Sequence, residues 1–249
     1  MSKRKVIAVI PARYASTRFP GKALATIAGK SLLQRTFENA RAAALFDEIC
    51  VATDDKRIFK HAEELGALAL MTPSECPTGT DRVFAALQDQ EIAPDTIIIN
   101  LQGDVPLLEK GVMEAVIAAM LDSPLEVMAT AAVKIKNEEE ALLPSIVKCV
   151  LDKSSHALYF SRSLIPHSRY GGYNPDVTYY HHLGIYAFTY EFLKIYSALE
   201  PTPLQLTEDL EQLKAMEHGY KIKVAIVESS SFGVDRPEDV EKVERLLCQ

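Results

Sequence analysis

Three cationic side chains follow the first apolar run of the chain, and together they could bind a polyanion. Residues 6–10 are aliphatic without interruption, which predicts a strand buried on both faces. Arg13, Arg18 and Lys22 come next, in a loop whose small residues would let backbone N–H groups approach an anion. Ligands of open α/β sheets bind at the carboxyl ends of the strands, so the loop is well placed for phosphate. The alternative is that Arg13 and Arg18 only contact solvent.

A carboxylate follows residues 96–101, the most β-branched run of the chain. Gln102 and Asp104 come directly after this predicted strand. A carboxylate at this edge of the sheet, near the cationic loop, suits a Mg²⁺ ion that bridges phosphate oxygens. The alternative is that Asp104 caps a helix starting near Leu108. The local residues leave both interpretations open.

The histidines and cysteines do not form a recognisable metal or redox motif. His181 and His182 are adjacent in a predicted strand, where neighbouring side chains point to opposite faces, so we do not expect them to bind one ion. The cysteines are widely spaced and are predicted to be free thiols in a reducing compartment. They are Cys50, Cys76, Cys149 and Cys248.

Strand and helix patterns alternate through the first half of the chain. Strands are predicted at residues 48–53 and 67–71, and helices from residues 29–31, after Asp54-Asp55 and near Asp81. The first helix carries an apolar face, and the second should end near Gly66. That face consists of Leu32, Leu33, Thr36, Phe37 and Ala40. The alternation predicts an α/β fold with a mostly parallel sheet and helices on both faces.

The second half has a different pattern. Strands are predicted at residues 127–133, 146–151, 157–162, 181–188 and 221–227. Residues 163–180 form a long, turn-rich connection, which is typical of binding loops, lids and partner contacts. Residues 206–214 predict one amphipathic helix with Leu206, Leu210 and Leu213 inward and Thr207 as a candidate cap. Periodicity alone would leave Glu211 and Gln212 on its solvated face.

Length and composition exclude several classes of protein. A chain of 249 residues is long enough for a large α/β domain. Its net charge of −7 argues against general nucleic-acid binding. No signal peptide is recognisable, and no apolar run approaches the ~20 residues that span a bilayer. We therefore expect a soluble cytoplasmic protein with no membrane insertion.

Eight motifs in the expected order resemble the CMP-Kdo synthetase family, the 3-deoxy-manno-octulosonate cytidylyltransferases of Gram-negative bacteria. They are IPARYASTRFPGK at residues 10–22, VATD at 51–54, TGTDR at 78–82, LQGD at 101–104, LYFSR at 158–162, HLGIY at 182–186, LEQL at 210–213 and GVD at 233–235. The resemblance spans nearly the whole chain. It implies a Rossmann-like, GT-A-like nucleotidyltransferase sheet with an inserted dimerisation and sugar-binding region, and a Mg²⁺-dependent homodimer. It also implies one domain over residues 1–249, with residues 1–125 mainly binding CTP and residues 126–249 mainly binding Kdo and dimerising.

The resemblance also implies roles for individual residues. The catalytic set would be Arg13, Lys22, Asp104 and Asp235, in which the two aspartates bind Mg²⁺. The nucleotide site would contain Arg13, Ser16, Lys22, Thr80, Arg82 and Gln102. The Kdo site would contain Gln102, Arg162, His182, Tyr186, Glu211 and Gln212. Two departures stand out: Val105 replaces the usual glutamate, and Cys76-Pro77-Thr78 replaces a more polar run.

The implied reaction joins CTP and the eight-carbon acid sugar Kdo into CMP-Kdo for lipopolysaccharide biosynthesis, with release of pyrophosphate. We expect in-line attack of the anomeric hydroxyl on the α-phosphorus, because no cysteine or serine has a recognisable base beside it. Three alternatives remain. One is a transferase for sialic acid or a sugar phosphate, and another is a dinucleotide-binding oxidoreductase, although Gly-x-Gly-x-x-Gly is absent after the first strand. The third is a nucleotide-binding regulator without catalysis.

Overall fold

The computed structural model describes residues 4–15, 19–228, 233–234 and 236–247. The chain divides into two compact units. The first comprises Met1–Met113, Thr189–Ser197 and Ser231–Gln249, and the second comprises Glu114–Phe188 and Ala198–Ser230. The single domain with a functional boundary at residue 125 stays a prediction.

The secondary structure follows the predicted alternation. The strands are β1 (Val6–Ala12), β2 (Thr26–Ile27), β3 (Lys30–Ser31), β4 (Glu48–Thr53), β5 (Leu68–Met71), β6 (Ile97–Asn100), β7 (Met128–Lys134), β8 (Lys148–Leu151), β9 (Ala157–Ser161), β10 (Tyr180–Thr189) and β11 (Lys223–Val227). The helices are α1 (Leu32–Ala43), α2 (Lys56–Glu64), α3 (Gly79–Leu87), α4 (Lys110–Leu121), α5 (Glu138–Leu142), α6 (Tyr190–Ala198), α7 (Pro203–Glu208), α8 (Gln212–Glu217) and α9 (Pro237–Leu247), with a 3-10 turn at Lys22–Leu24.

The sheet of the first unit contains the order β6-β1-β4-β5, and these pairings are parallel. β1 lies between β4 and β6, with Ala12 opposite Thr53 and Val9 opposite Asn100. The apolar residues of β1 and β6 are almost completely shielded from solvent, as their uninterrupted aliphatic sequences predict. The prediction of an α/β protein with a mostly parallel sheet is confirmed.

The first two helices begin at the predicted signals, and the second also ends at one. Ser31 caps α1 by accepting a hydrogen bond from the backbone N–H of Gln34, and the whole predicted apolar face of α1 is buried. Asp55, rather than Asp54, caps α2 by accepting from the N–H groups of Arg57 and Ile58. Gly66, just after this helix, has φ of +76°, which suits glycine.

The ends of β1 and β6 approach each other closely at Gly103. A Cβ atom at this position would lie 2.7 Å from the carbonyl oxygen of Pro11, so only glycine fits without a backbone shift. The N–H of Leu101 donates to the carbonyl of Val9 at 2.9 Å and continues the pairing up to this point. The loops that leave β1 and β6 therefore start side by side.

The second unit has mixed strand pairing. β7 is parallel to β11 and antiparallel to β10, while β8 is antiparallel to both β9 and β10. The register of β10 against β7 shifts between His182 and Tyr186, which marks a bulge. Gly184, inside this bulge, has φ of +69°. The predicted strands of the second half are confirmed to within a few residues at their ends.

The prediction of one amphipathic helix over residues 206–214 is wrong. The chain forms α7 and α8, separated at Asp209, whose φ of +51° is incompatible with a continuous helix. Leu206 is consequently 68% exposed, although Leu210 and Leu213 are buried as predicted. Thr207 is not a cap, because its hydroxyl donates to the carbonyl of Pro203 within α7.

Side chains of the long connection after β9 pack in a small apolar cluster with residues that precede β8. Tyr179 is buried with Ile135 and Ala141, and further side chains pack against them. These are Ile146, Leu164, Tyr173 and Val177. Such packing gives the connection a defined course, while its role at a partner contact stays a prediction.

Two expectations from composition can be compared with the structure. Cys50, Cys76 and Cys149 are free thiols, and Cys248 lies outside the described residues. Burial raises the pKa of Cys50 and of Cys149 to about 12, which keeps both thiols protonated. Within the described residues, no helix is both long and apolar enough to cross a membrane.

The close approach at Gly103 predicts that alanine destabilises the protein at this position but not at a glycine with open space around it. Gly103→Ala should lower the free energy of unfolding by roughly 1–3 kcal/mol, because the added methyl group meets backbone that cannot move aside freely. Gly111→Ala is the matched control, since a Cβ there meets nothing within 4 Å on α4. Urea denaturation of both variants tests this, and equal stability of the two would contradict it.

Candidate functional site

An ion pair joins Lys22, a predicted nucleotide-side residue, to Asp104. The Lys22 Nζ donates to the Asp104 Oδ2 at 2.7 Å, and the two side chains are 16% and 29% exposed. Lys22 follows β1 and Asp104 follows β6, so the approach of the two strand ends brings them together. The site thus presents a cation and a carboxylate at the carboxyl ends of neighbouring parallel strands.

The backbone of Asp104 is also fixed. Its carbonyl accepts a hydrogen bond of 2.7 Å from the N–H of Val234, the residue before Asp235. Asp235 itself lies outside the described residues. The Asp104 carboxylate contacts Lys22 rather than the N–H groups of α4, which begins only at Lys110. Helix capping therefore does not account for Asp104.

A backbone hydrogen bond joins the two ends of the loop between β1 and Lys22. The N–H of Gly21 donates to the carbonyl of Tyr14 at 2.9 Å, and Gly21 has φ of +71°. The Arg57 guanidinium lies 3.4 Å from the centre of the Tyr14 ring, a cation–π contact that pins the ring. Arg13 is exposed and makes no hydrogen bond with the described residues. Ser16 and Arg18, the other predicted contacts of this loop, lie outside those residues.

Arg82 holds the loop that precedes α3. Its side chain is only 4% exposed, and it donates to the Thr72 hydroxyl at 2.6 Å and to the Asp54 carboxylate at 3.1 Å. A third bond of 3.2 Å reaches the carbonyl of Pro73. Arg82 thus tethers residues 72–73 to Asp54 at the end of β4. Direct contact between Arg82 and a nucleotide stays a prediction.

Thr80 lies in the first turn of α3, and Gln102 lies close to that turn. Thr80 is buried and accepts a hydrogen bond of 3.0 Å from the side-chain amide of Asn100. The amide oxygen of Asn100 is buried and has no hydrogen-bond partner among the described residues. A Cβ at Gly79 would lie 3.9 Å from the Gln102 Oε1, which places this half-buried side chain over the first turn of α3.

A chain of hydrogen bonds joins three of the predicted sugar-side residues in the second unit. The Tyr186 hydroxyl donates to the Gln212 Oε1 at 2.8 Å, and the Gln212 Nε2 lies 3.5 Å from the His182 Nδ1. The His182 Nε2 lies 2.9 Å from the Thr130 Oγ1, and the Thr130 hydroxyl donates to the Ile185 carbonyl at 2.6 Å. We call these five residues the sugar-side network. Because Gln212 is only 1% exposed, its placement on a solvated face by periodicity is wrong.

Burial keeps the two adjacent histidines neutral. Desolvation lowers the pKa of His182 to about 3 and that of His181 to about 4. The His182 ring lies 4.8 Å from the Phe160 ring and 5.4 Å from the Tyr186 ring, measured between centroids. In the described part of the chain, no three His, Cys, Asp or Glu side chains form a group that could hold a metal ion.

Arg162 lies outside the sugar-side network. Its guanidinium donates to the carbonyls of Glu208 at 2.7 Å and Asp209 at 3.1 Å, so it satisfies the carboxyl end of α7. The Glu208 carboxylate in turn accepts from the Ser161 hydroxyl and from the Arg162 N–H. Glu211 is half-buried and precedes α8.

Comparison with known proteins places this geometry in a family. A family model described as cytidylyltransferase matches residues 7–222. The chain belongs to the cytidylyltransferase family. Cytidylyltransferases are nucleotidyltransferases, so the protein is a transferase enzyme.

Relatives and solved structures are similar over nearly the full length of this cytidylyltransferase. A 3-deoxy-manno-octulosonate cytidylyltransferase of Protochlamydia amoebophila (strain UWE25) is 48% identical over 98% of this chain and 95% of its own. The mitochondrial protein of that name from Arabidopsis thaliana is 48% identical over 98% of this chain and 84% of its own. A solved structure of CMP:2-keto-3-deoxy-manno-octonic acid synthetase complexed with CTP has a TM-score of 0.90 and 40% identity, over 98% of this chain and 99% of that one.

A more distant structure shares the fold. The 4-diphosphocytidyl-2C-methyl-D-erythritol synthase of Anaerococcus prevotii DSM 20548 has a TM-score of 0.61 at 16% identity, over 99% of both chains. This similarity supports the nucleotidyltransferase fold of the present cytidylyltransferase, and it carries no argument about the substrate.

Four residues at the site of this cytidylyltransferase were not anticipated from its sequence. Asn100, Thr130, Glu208 and Val234 each bond to a predicted site residue or its neighbour. Asn100 and Thr130 are polar residues within otherwise apolar, buried strands. Because buried polar groups are normally hydrogen-bonded, this position was the one signal that each had a polar partner. Glu208 offered no comparable signal, and Val234 stood in the GVD motif without an expected role of its own.

Proposed function

We propose that this cytidylyltransferase transfers CMP from CTP to 3-deoxy-D-manno-octulosonate (Kdo) and forms CMP-Kdo and pyrophosphate. The observation that carries the proposal is 48% identity, over 98% of the chain, to relatives named 3-deoxy-manno-octulosonate cytidylyltransferase. The solved structure with a TM-score of 0.90, whose title names CTP, supports the choice of nucleotide. Transfer to another acid sugar such as sialic acid is not favoured, because these relatives carry the name of the Kdo enzyme.

The first unit supplies the groups that would bind the CTP phosphates. Arg13 projects from the end of β1 into solvent, where its guanidinium can bind phosphate oxygens. Lys22 is already oriented by Asp104 at 2.7 Å, so little side-chain entropy remains to be lost when phosphate binds. Asn100 supports the first turn of α3 through its hydrogen bond to Thr80. Arg82 supports the preceding loop through its bonds to Thr72 and Pro73.

The donor set is compatible with the proposed Mg²⁺ ion. Asp104 offers hard carboxylate oxygens, only Oδ2 of which is bonded to Lys22, and its backbone is fixed by Val234. We propose that Asp104 and Asp235 hold the ion. The case for Asp235 rests on the resemblance and on the position of its neighbour Val234. When bound, Mg²⁺ would neutralise charge on the phosphate oxygens and act as a Lewis acid there.

The proposed chemistry is a single in-line displacement. The anomeric hydroxyl oxygen of Kdo forms a bond to the α-phosphorus of CTP, and the hydroxyl proton passes to base or solvent. At the same time, the bond breaks between the α-phosphorus and the oxygen that bridges it to the β-phosphorus. Pyrophosphate leaves with the electron pair of that bond. Arg13 and Lys22 would stabilise the negative charge that grows on the phosphate oxygens. A covalent intermediate on Cys50 or Cys149 is disfavoured because both thiols are buried, with pKa values raised to about 12.

The second unit supplies polar groups suited to a polyhydroxylated sugar. Tyr186, His182 and Gln212 are mutually bonded in the sugar-side network, so their directions are set before a ligand arrives. We propose that these three, with Gln102, Arg162 and Glu211, bind Kdo. Arg162 already contacts the carbonyls that end α7, so its proposed role includes holding this end of the site.

The cellular setting and the assembly belong to the same proposal. We propose that the enzyme acts in the cytoplasm in lipopolysaccharide biosynthesis and forms a homodimer, with residues 163–180 or the adjoining strands at the contact. The support is the resemblance and the ordered packing of this connection around Tyr179. Light scattering should show twice the monomer mass, and a 27.6 kDa species alone at assay concentration would contradict the dimer.

A substrate panel tests the function. Pyrophosphate release should require a nucleoside triphosphate, Kdo and a divalent ion together, with CTP the best nucleotide and dCTP or UTP weaker. The reason is that the reaction needs both substrates for a single displacement. The measurement crosses CTP, UTP, ATP and GTP with Kdo and sialic acid, and mass spectrometry identifies the product. Equal turnover with sialic acid, or no turnover with Kdo, would overturn the assignment.

A further inference from the structure

We propose that Thr130 is a positioning residue for sugar binding, because its hydroxyl sets the direction of the hydrogen bonds in the sugar-side network. The inference rests on the proposed function, since it concerns how the Kdo site is ordered. Thr130 lies in β7, opposite Tyr186 in the register with β10, and is fully buried. It was not among the residues expected at the site.

The Ile185 carbonyl fixes the Thr130 hydroxyl. Ile185 lies in the bulge of β10, where the chain advances four residues from His182 to Tyr186 while β7 advances two, from Ala132 to Thr130. The Thr130 oxygen lies 2.6 Å from the Ile185 carbonyl oxygen. Two oxygens this close need a hydrogen atom between them, and a carbonyl has none to give. The hydroxyl hydrogen of Thr130 therefore points at Ile185.

The direction of every further bond follows from this one. A hydroxyl has a single hydrogen, so at 2.9 Å the Thr130 oxygen must accept from the His182 Nε2. The buried imidazole is neutral, hence its Nδ1 carries no hydrogen and accepts from the Gln212 Nε2 at 3.5 Å. The amide oxygen of Gln212 then faces Tyr186 and receives its hydroxyl hydrogen at 2.8 Å.

Loss of the hydroxyl would remove this ordering. Thr130→Val keeps the shape of the side chain but leaves the His182 Nε2–H and the Ile185 carbonyl without their partner. The imidazole could then place its hydrogen on Nδ1, which would force the Gln212 amide to rotate and deprive Tyr186 of its acceptor. A threonine that only fills the space between β7 and β10 would tolerate valine without such effects.

Steady-state kinetics test the positioning role. Thr130→Val should raise the KM for Kdo about tenfold, the scale of one lost buried hydrogen bond, and leave the KM for CTP unchanged. Thr130→Ser, which restores the hydroxyl, should stay within about twofold of the wild type. Thr96→Val is the matched control, because Thr96 is likewise a buried threonine and is not part of the sugar-side network. A wild-type KM for Kdo in Thr130→Val overturns the inference.

Nitrogen-15 NMR of the histidine rings provides a readout that a purely structural role would not change. The His182 signals, identified by their loss in His182→Gln, should show hydrogen on Nε2 in the wild type and in Thr130→Ser. Hydrogen on Nδ1 in the wild type overturns the inference, whether or not the enzyme makes CMP-Kdo. Absence of CMP-Kdo with the expected tautomer would instead contradict the proposed function. If Thr130→Val does not fold, Thr130→Cys, whose thiol is a weak hydrogen-bonding group, replaces it with the same expectations.

Discussion

The proposed nucleotide site of the enzyme depends on the close approach of two strand ends, where Gly103 passes the Pro11 carbonyl. A Cβ atom would lie 2.7 Å from that oxygen, so the approach requires glycine. It brings together the loops that carry Lys22 and Asp104, and these form an ion pair of 2.7 Å. The two side chains are 16% and 29% exposed. The importance of the pair lies in orienting a cation and a carboxylate at the edge of the sheet.

The proposed sugar site is ordered in a different way. There, the polar groups are buried, neutral and bonded to each other, and the bulge in β10 supplies the carbonyl at which the sugar-side network ends. A buried network of this kind has a defined direction, because each unmet donor or acceptor would cost free energy. The charged groups of the first unit suit phosphates, whereas this network suits hydroxyl groups of a sugar.

Local patterns in the sequence predicted the elements, and the resemblance supplied the roles. The buried face of α1 could be read from helical periodicity, and the strand at residues 6–10 from its uninterrupted aliphatic run, since tertiary contacts agree with both patterns. The break at Asp209 could not, because a single left-handed residue leaves no trace in an apolar pattern. Thr130 was missed for another reason: its partner His182 is 52 residues away, and only the strand register brings the two together. The residue roles implied by the resemblance remain predictions.

We propose that Asp104 serves chemistry rather than folding, and turnover measured against Mg²⁺ concentration tests this role most directly. Asp104→Asn and Asp235→Asn should lower turnover by roughly two to four orders of magnitude, because a metal ion supplies several kcal/mol of charge stabilisation. Thermal melting should barely change, and Asp122→Asn, at an exposed aspartate, serves as the control. A helix cap would instead contribute ~1 kcal/mol to folding and nothing to turnover. Either site variant keeping more than about a third of wild-type turnover at saturating Mg²⁺ would contradict the claim for that aspartate.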